Sequence, residues 1–102
     1  MDNFQFKRSD RVAQQIQDII SNIIATKVIV QGLGLATVTK VKTSQNLRFS
    51  RIYLSFMGNS LLPEELIILM NRNVKEYRFH LGKELQVKYV PQIKFYHDNT
   101  FE

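Results

Sequence analysis

The chain alternates between two hydrophobic periods. From Ser9 to about Lys27, Val12, Ile16, Ile19, Ile20, Ile23 and Ile24 recur at three- and four-residue spacing, which predicts an amphipathic helix with Ser9 or Asp10 as its cap. The stretch "VIVQGLGLATVTKVKT" is β-branched and punctuated by Gly32 and Gly34, which suits an extended approach, a bend and a strand over Leu35 to Thr43. After a turn at "SQN", residues Arg48 to Met57 set Ile52, Leu54 and Phe56 against Phe49, Arg51 and Tyr53, as a strand with one buried face does. The two strands make a hairpin.

Helical spacing returns after "GNS". Pro63 suits a first turn, Glu64 and Glu65 favour the positive end of a helix dipole, and Leu66, Leu69 and Met70 form an apolar face. Asn leaves helical geometry at little cost, so Asn71 and Asn73 mark a break before a further helix that carries Val74, Tyr77 and Leu81 and ends near Glu84. Finally "LQVKYVPQIKFYH" alternates as a strand, with Pro91 placing a bulge or an edge inside it. The order is helix, strand, strand, helix, break, helix, strand.

Composition narrows the classes. The 102 residues are expected to form a single domain over 1–102, and the 44% apolar fraction with seven Phe and four Tyr suits one packed core. With no cysteine, disulfides and thiolate metal sites are excluded. The N-terminus lacks a signal-peptide core and no apolar run is long enough to span a bilayer, so a cytoplasmic location without membrane contact is the default expectation.

Charge is more informative once located. Of the net +5, residues 35–58 contribute four basic side chains and no acidic one, whereas residues 59–102 carry six of each. An acid-free basic segment suits a polyanion, since each neutralised phosphate releases counterions; a solvated sheet face is the plainer account. Catalysis finds little support. His97 beside Asp98, and the distant His80, are the only acid–base candidates, and adjacent strand residues point to opposite faces. No metal or cofactor motif is present, and Gly32 and Gly34 precede no helix-opening phosphate motif. The chain is therefore expected not to be an enzyme, with a small nuclease as the weakest alternative. A protein-interaction module that pairs through a sheet edge along "VIVQGLGLA" is a third reading.

Ordered short motifs then carry a resemblance. "YRFHLGKELQVKYVPQIKFYHDNTFE", with Arg78, Leu81 to Lys83, Val90 with Pro91, Phe95 and Asp98, resembles the close of the ribosome-binding factor A family; "VTKVKTSQNLRFSRIYLSF" is similar to its hairpin and "RSDRVAQQIQDII" to its first helix. The resemblance implies an α+β, KH-like fold of the second topological type, with a three-stranded sheet packed on helices. It also implies non-catalytic binding of small-subunit ribosomal RNA during late assembly; a monomer is expected, with an assembly GTPase as an open candidate partner. Where the family bends between its last helices at Ala-x-Gly, this chain has Asn73, Val74 and Lys75, and "KVIVQGLGL" replaces the usual Asp-Pro after the first helix.

Candidate RNA contacts follow. Arg72, Lys75 and Arg78 recur every third residue through the break around Asn73, which crowds them on one side of a bent helix pair; an ordinary solvated helix face is the alternative. Lys40 and Lys42, Arg51 and Tyr53, and Lys88, Lys94 and Tyr96 are expected on an open sheet face, with charges following the RNA backbone and Tyr stacking on an unpaired base. Tyr53 and Tyr96 also suit plain sheet-surface roles. One conflict stands in the pattern. Val38 has the parity of Lys40 and Lys42 while Val41 has the other, so a bulge or twist must decide which side is wet.

Overall fold

The computed structural model describes residues 7–100. Its elements are α1 (Arg8–Thr26), β1 (Leu35–Thr43), β2 (Phe49–Met57), α2 (Pro63–Arg72), α3 (Val74–Glu84) and β3 (Gln92–His97). The N-terminal stripe becomes α1 because it has a surface to face: Ile16, Ile20 and Ile23 are fully buried. Burial of one such side chain is worth about 1.5–3 kcal/mol, far more than helix propensity supplies. The helix begins one residue before the expected cap, and the Asp10 carboxylate accepts the Lys7 backbone N–H at 3.3 Å while Ser9 is buried.

The sheet runs in the order β1-β2-β3, antiparallel between β1 and β2 and parallel between β2 and β3. Parallel pairing needs a crossover, and α2 with α3 provides it. Val38, Ile52, Leu54, Ile93 and Phe95 meet the helical residues Leu66, Met70, Tyr77 and Leu81 in one core. All three helices therefore lie on one side of the sheet.

Two expected boundaries change. The break between α2 and α3 falls at Asn73 alone, with φ −102° and ψ 21°, and Asn71 stays helical. That conformation is open to any residue, and Lys75, which stands where the family has its glycine, lies inside α3 without a positive φ, so no left-handed backbone is required at either position. The last strand is also shorter than its alternation suggests. It begins after Pro91, because β2 begins at Phe49 and residues upstream turn into the hairpin; the Gln92 N–H to Arg48 carbonyl bond, 2.9 Å, closes the ladder and leaves Val87 to Tyr89 no strand to pair with. Lys88 therefore does not share a strand face with Lys94. Gly82 assists the approach of this segment to α3, since a Cβ there would stand 3.1 Å from Val90 Cγ2.

The loop between α1 and β1 uses its glycines as a bend. Gly34 has φ 66°, and a side chain on it would come within 3.0 Å of the backbone of Gly58 and Asn59. Both obstacles are backbone. Gly34→Ala is expected to lose more than about 2 kcal/mol, read as a drop in the urea midpoint at unchanged slope.

A second expectation concerns Tyr77, whose ring sits edge-on to Phe95 at 4.8 Å and whose buried hydroxyl has no hydrogen-bond partner among the described residues. Burial, then the charge of Glu76, pushes it up to about 12, so it stays neutral. Tyr77→Phe removes an unsatisfied buried group and should raise stability by about 1 kcal/mol in the same measurement.

Candidate nucleic-acid interface

The wet face is decided at one residue. Along β1 the register pairs Val38 with Leu54 and then Lys40 with Tyr53, so Thr39 is an extra residue in a β-bulge. The bulge reverses the parity. Val38 goes to the core with Leu54, and Lys40 and Lys42 go to the opposite, exposed face. Thr39 is fixed on both sides: its hydroxyl donates to Asp98 Oδ2 at 2.6 Å and lies 3.3 Å from the Tyr53 carbonyl. Asp98 is held in turn by its own backbone N–H, which donates to the Leu54 carbonyl at 2.7 Å, and by Thr100. These bonds explain a residue that sequence reasoning assigned only to a motif.

With the parity settled, two rows cross the three strands. Lys42 pairs with Arg51 and Arg51 with Lys94; one step along, Lys40 pairs with Tyr53 and Tyr53 with Tyr96. The first row is wholly basic. In the second, Lys40 Nζ lies 4.6 Å from the Tyr53 ring centre, the two tyrosine rings stack at 5.4 Å and 25°, and Lys94 Nζ lies 5.4 Å from the Tyr96 ring. Cation–π contacts of this kind contribute only about 0.5–1 kcal/mol at exposed sites. Like charges one strand apart repel, so the row holds its cations in a position that an anion improves. The ring faces expected to stack on a base are already used, Tyr53 by Tyr96 and Lys40. What the face presents outward is cations and tyrosine edges.

The helix junction supplies a smaller group. Arg72 and Lys75 are exposed on either side of Asn73, itself exposed. Asn71 brings this end of α2 to the edge of β3: its amide donates to the Phe95 carbonyl at 3.0 Å and accepts the Phe95 N–H at 2.8 Å, as a neighbouring strand would. Arg78 does not join Arg72 and Lys75. Its guanidinium donates to the Pro91 carbonyl through Nε and to the Val90 carbonyl through a terminal nitrogen, both at 2.9 Å, because one further turn of α3 faces the chain entering β3. Charge-assisted bonds of this type are worth about 1.5–3 kcal/mol, and here they fix Pro91 and the start of the strand.

Of the ten sequence-predicted contacts, Lys40, Lys42, Arg51, Tyr53 and Lys94 come together on the sheet; Arg72, Asn73 and Lys75 lie at the junction; Arg78 and Lys88 lie apart from both groups. His97 and Asp98 do not form a dyad. The His97 ring stacks on Phe56 at 6.0 Å, on the core-facing side, while Asp98 is bound to Thr39 and Thr100. His80 packs edge-on against Phe79 at 5.3 Å. No group of carboxylates and histidines among the described residues is arranged to hold a metal ion, and no helix among them is long and apolar enough to cross a membrane.

The order α-β-β-α-bend-α-β, with a third strand parallel to the second, defines a KH-like fold of the second topological type, here with a basic open face. The family model described as Ribosome-binding factor A matches residues 8–102. The chain belongs to that family. It is 30% identical over 97 residues to ribosome-binding factor A of Vibrio campbellii, covering 94% of this chain and 72% of that one. Among solved structures it is similar to the crystal structure of ribosome-binding factor A from Thermus thermophilus, with a TM-score of 0.77, 16% identity, and 87% of this chain and 93% of that chain covered. A Thermus thermophilus homology model fitted into the cryo-EM map of a 30S complex with this factor matches over the same shares at a TM-score of 0.71 and 16% identity.

The Thr39–Asp98 contact gives a pH expectation. Hydrogen bonds from Thr100 and Thr39, with help from the Lys40 charge, lower Asp98 from its ordinary 3.8 to about 2. A carboxylate held below its unfolded value stabilises the fold above that value and loses the contribution as it protonates. The effect is complete above about pH 4 and is lost as pH falls toward 2. In Asp98→Asn the thermal midpoint should therefore fall less steeply over that window than in the parent chain.

Proposed function

We propose that this chain is a non-catalytic assembly factor that binds ribosomal RNA of the small subunit and assists late maturation of that subunit. The observation that carries the reading is the wholly basic row Lys42, Arg51 and Lys94 beside the Lys40, Tyr53 and Tyr96 row, on the face opposite the described helices. Membership of the ribosome-binding factor A family supports it, as does likeness to a relative fitted into a 30S complex. Binding follows the RNA backbone more than the bases, because the ring faces are engaged within the sheet. Lys75 adds a phosphate contact at the opening of α3, where the helix dipole disfavours a cation unless an anion accompanies it. The chain acts in the cytoplasm as one RNA-binding domain and as a monomer, and an assembly GTPase that promotes its release is compatible with the reading.

A second reading has one observation of its own. Ile29, Leu35 and Met57 are 83%, 64% and 73% exposed, near a groove of about 400 Å³ that Leu35 lines at the start of the free edge strand β1. Docking of a protein segment there would be insensitive to salt.

Co-sedimentation with separated subunits, followed by RNA titration over a range of salt, decides between them. Association with free small subunits and not with joined ribosomes is expected. With four to six phosphates met, log affinity should fall against log salt with a slope of roughly 0.7 per contact. Lys75→Glu should weaken binding to all RNA sequences alike at an unchanged thermal midpoint, and a flat salt profile would sink the RNA reading.

A further inference from the structure

At the hairpin end of the sheet, three segments distant in sequence converge on a hollow of about 210 Å³. Arg8 comes from the first turn of α1, Asn46 to Arg48 from the β1–β2 turn, and Val87 to Tyr89 from the chain leading to β3. The Arg48 guanidinium lies 4.9 Å from the centre of the Tyr89 ring, and Lys88 Nζ lies 5.5 Å from the same centre. Arg8, Arg48 and Lys88 are all exposed, and none is ion-paired to a described carboxylate. The nearest acid in sequence, Asp10, is bonded to the Lys7 backbone.

The hollow is built on fixed backbone. The Arg48 N–H donates to Ser44 Oγ at 3.2 Å and lies 3.1 Å from Asn46 Oδ1, while its carbonyl accepts Gln92 N–H at 2.9 Å. Leu47, before it, adopts φ 61°, a conformation costly for a branched residue and kept here by the half-buried side chain and the Leu47 N–H to Ser44 carbonyl bond of 2.9 Å. On the other wall, Arg78 pins the Val90 and Pro91 carbonyls and so limits the freedom of Lys88 and Tyr89. Three like charges are thus gathered where, among the described residues, only weak contacts to one ring balance them. An anion is the missing partner.

We propose that this hollow binds a phosphate of single-stranded RNA, extending the sheet-face track around the hairpin end. The inference rests on the RNA reading above. What selects an RNA strand over an isolated anion is proximity: Arg48 stands just before β2, three residues or roughly 10 Å of chain from Arg51, and this odd separation turns it around the sheet end to the side of Arg8 and Val87. Lys42, Phe49 and Arg51 line a second hollow at this end of the sheet, with Thr43 at the end of β1 and Ser44 of the turn. One strand crossing Lys94, Arg51 and Lys42 would turn around the hairpin end, past the exposed Phe49, to reach Arg48 and Lys88.

The test uses the full chain and a fluorescein-labelled single-stranded oligouridylate of twelve nucleotides, titrated by anisotropy at several salt concentrations. Arg48→Gln combined with Lys88→Gln should make the log–log salt slope shallower by about 1.4, and Arg8→Gln alone by about 0.7, each at an unchanged thermal midpoint. Arg51→Gln with Lys94→Gln serves as the sheet-face reference. If the reference variant weakens binding while the Arg48, Lys88 and Arg8 variants match the parent chain, the hollow plays no part and the proposal is overturned with the sheet-face reading intact. If those variants keep their RNA affinity but lose association with isolated small subunits, the hollow meets an acidic protein and the proposal is likewise overturned. A parent chain with no salt-dependent RNA binding overturns both readings together.

Discussion

A single hydroxyl-to-carboxylate hydrogen bond, Thr39 to Asp98 at 2.6 Å, stands where the sheet changes parity. Strand side chains alternate strictly, so without an extra residue Val38 would share a face with Lys40 and Lys42. One of two penalties would follow: two ammonium groups driven into the apolar core, or a valine left in water and a gap opposite Leu54. The bulge avoids both at the cost of one unpaired residue, and the end of β3 supplies the carboxylate that holds it. Two segments 59 residues apart in sequence thereby decide which surface is basic.

Side chains elsewhere do work that backbone usually does. Asn71 completes the edge of β3 with a donor and an acceptor spaced like those of a strand, which also denies that edge to another chain. Arg78 satisfies two carbonyls where the segment before β3 has no strand to pair with. Asn73 interrupts the helices at negative φ, so the bend needs neither glycine nor a left-handed residue. Asn71 and Arg78 thus each place a polar group against backbone that would otherwise lack a partner. The motif residues Arg78, Gly82 and Asp98 thus have structural reasons for their identity, separate from any contact with a ligand.

The basic surface differs from a simple charged patch in its internal order. Lysines lie over tyrosine rings and the tyrosines stack on each other, which spaces the cations across three strands and limits the rotamers they lose when a polyanion binds. The same ordering turns the aromatic faces inward along the row and leaves the cations and tyrosine edges outward.

Local pattern alone settled the elements: the isoleucine stripe, the alternation of β2, the acid-rich start of α2 and the apolar residues of α3 each occur where period and burial agree, because a buried face imposes its period on sequence. The acid-free hairpin was equally legible, and with it the basic character of the open face. Tertiary structure decided what periodicity cannot encode. The side of Lys40 and Lys42 depended on a bulge held from β3. The end of pairing at Gln92 depended on where β2 starts, so the alternation of Val87 to Tyr89 carried no strand. Arg78 was removed from the solvent-facing series by carbonyls twelve and thirteen residues away, and Arg8, Arg48 and Lys88 were gathered from three segments that share no spacing. Period records which face a residue occupies within its own element; which elements meet, and what their polar groups find there, is set by long-range packing.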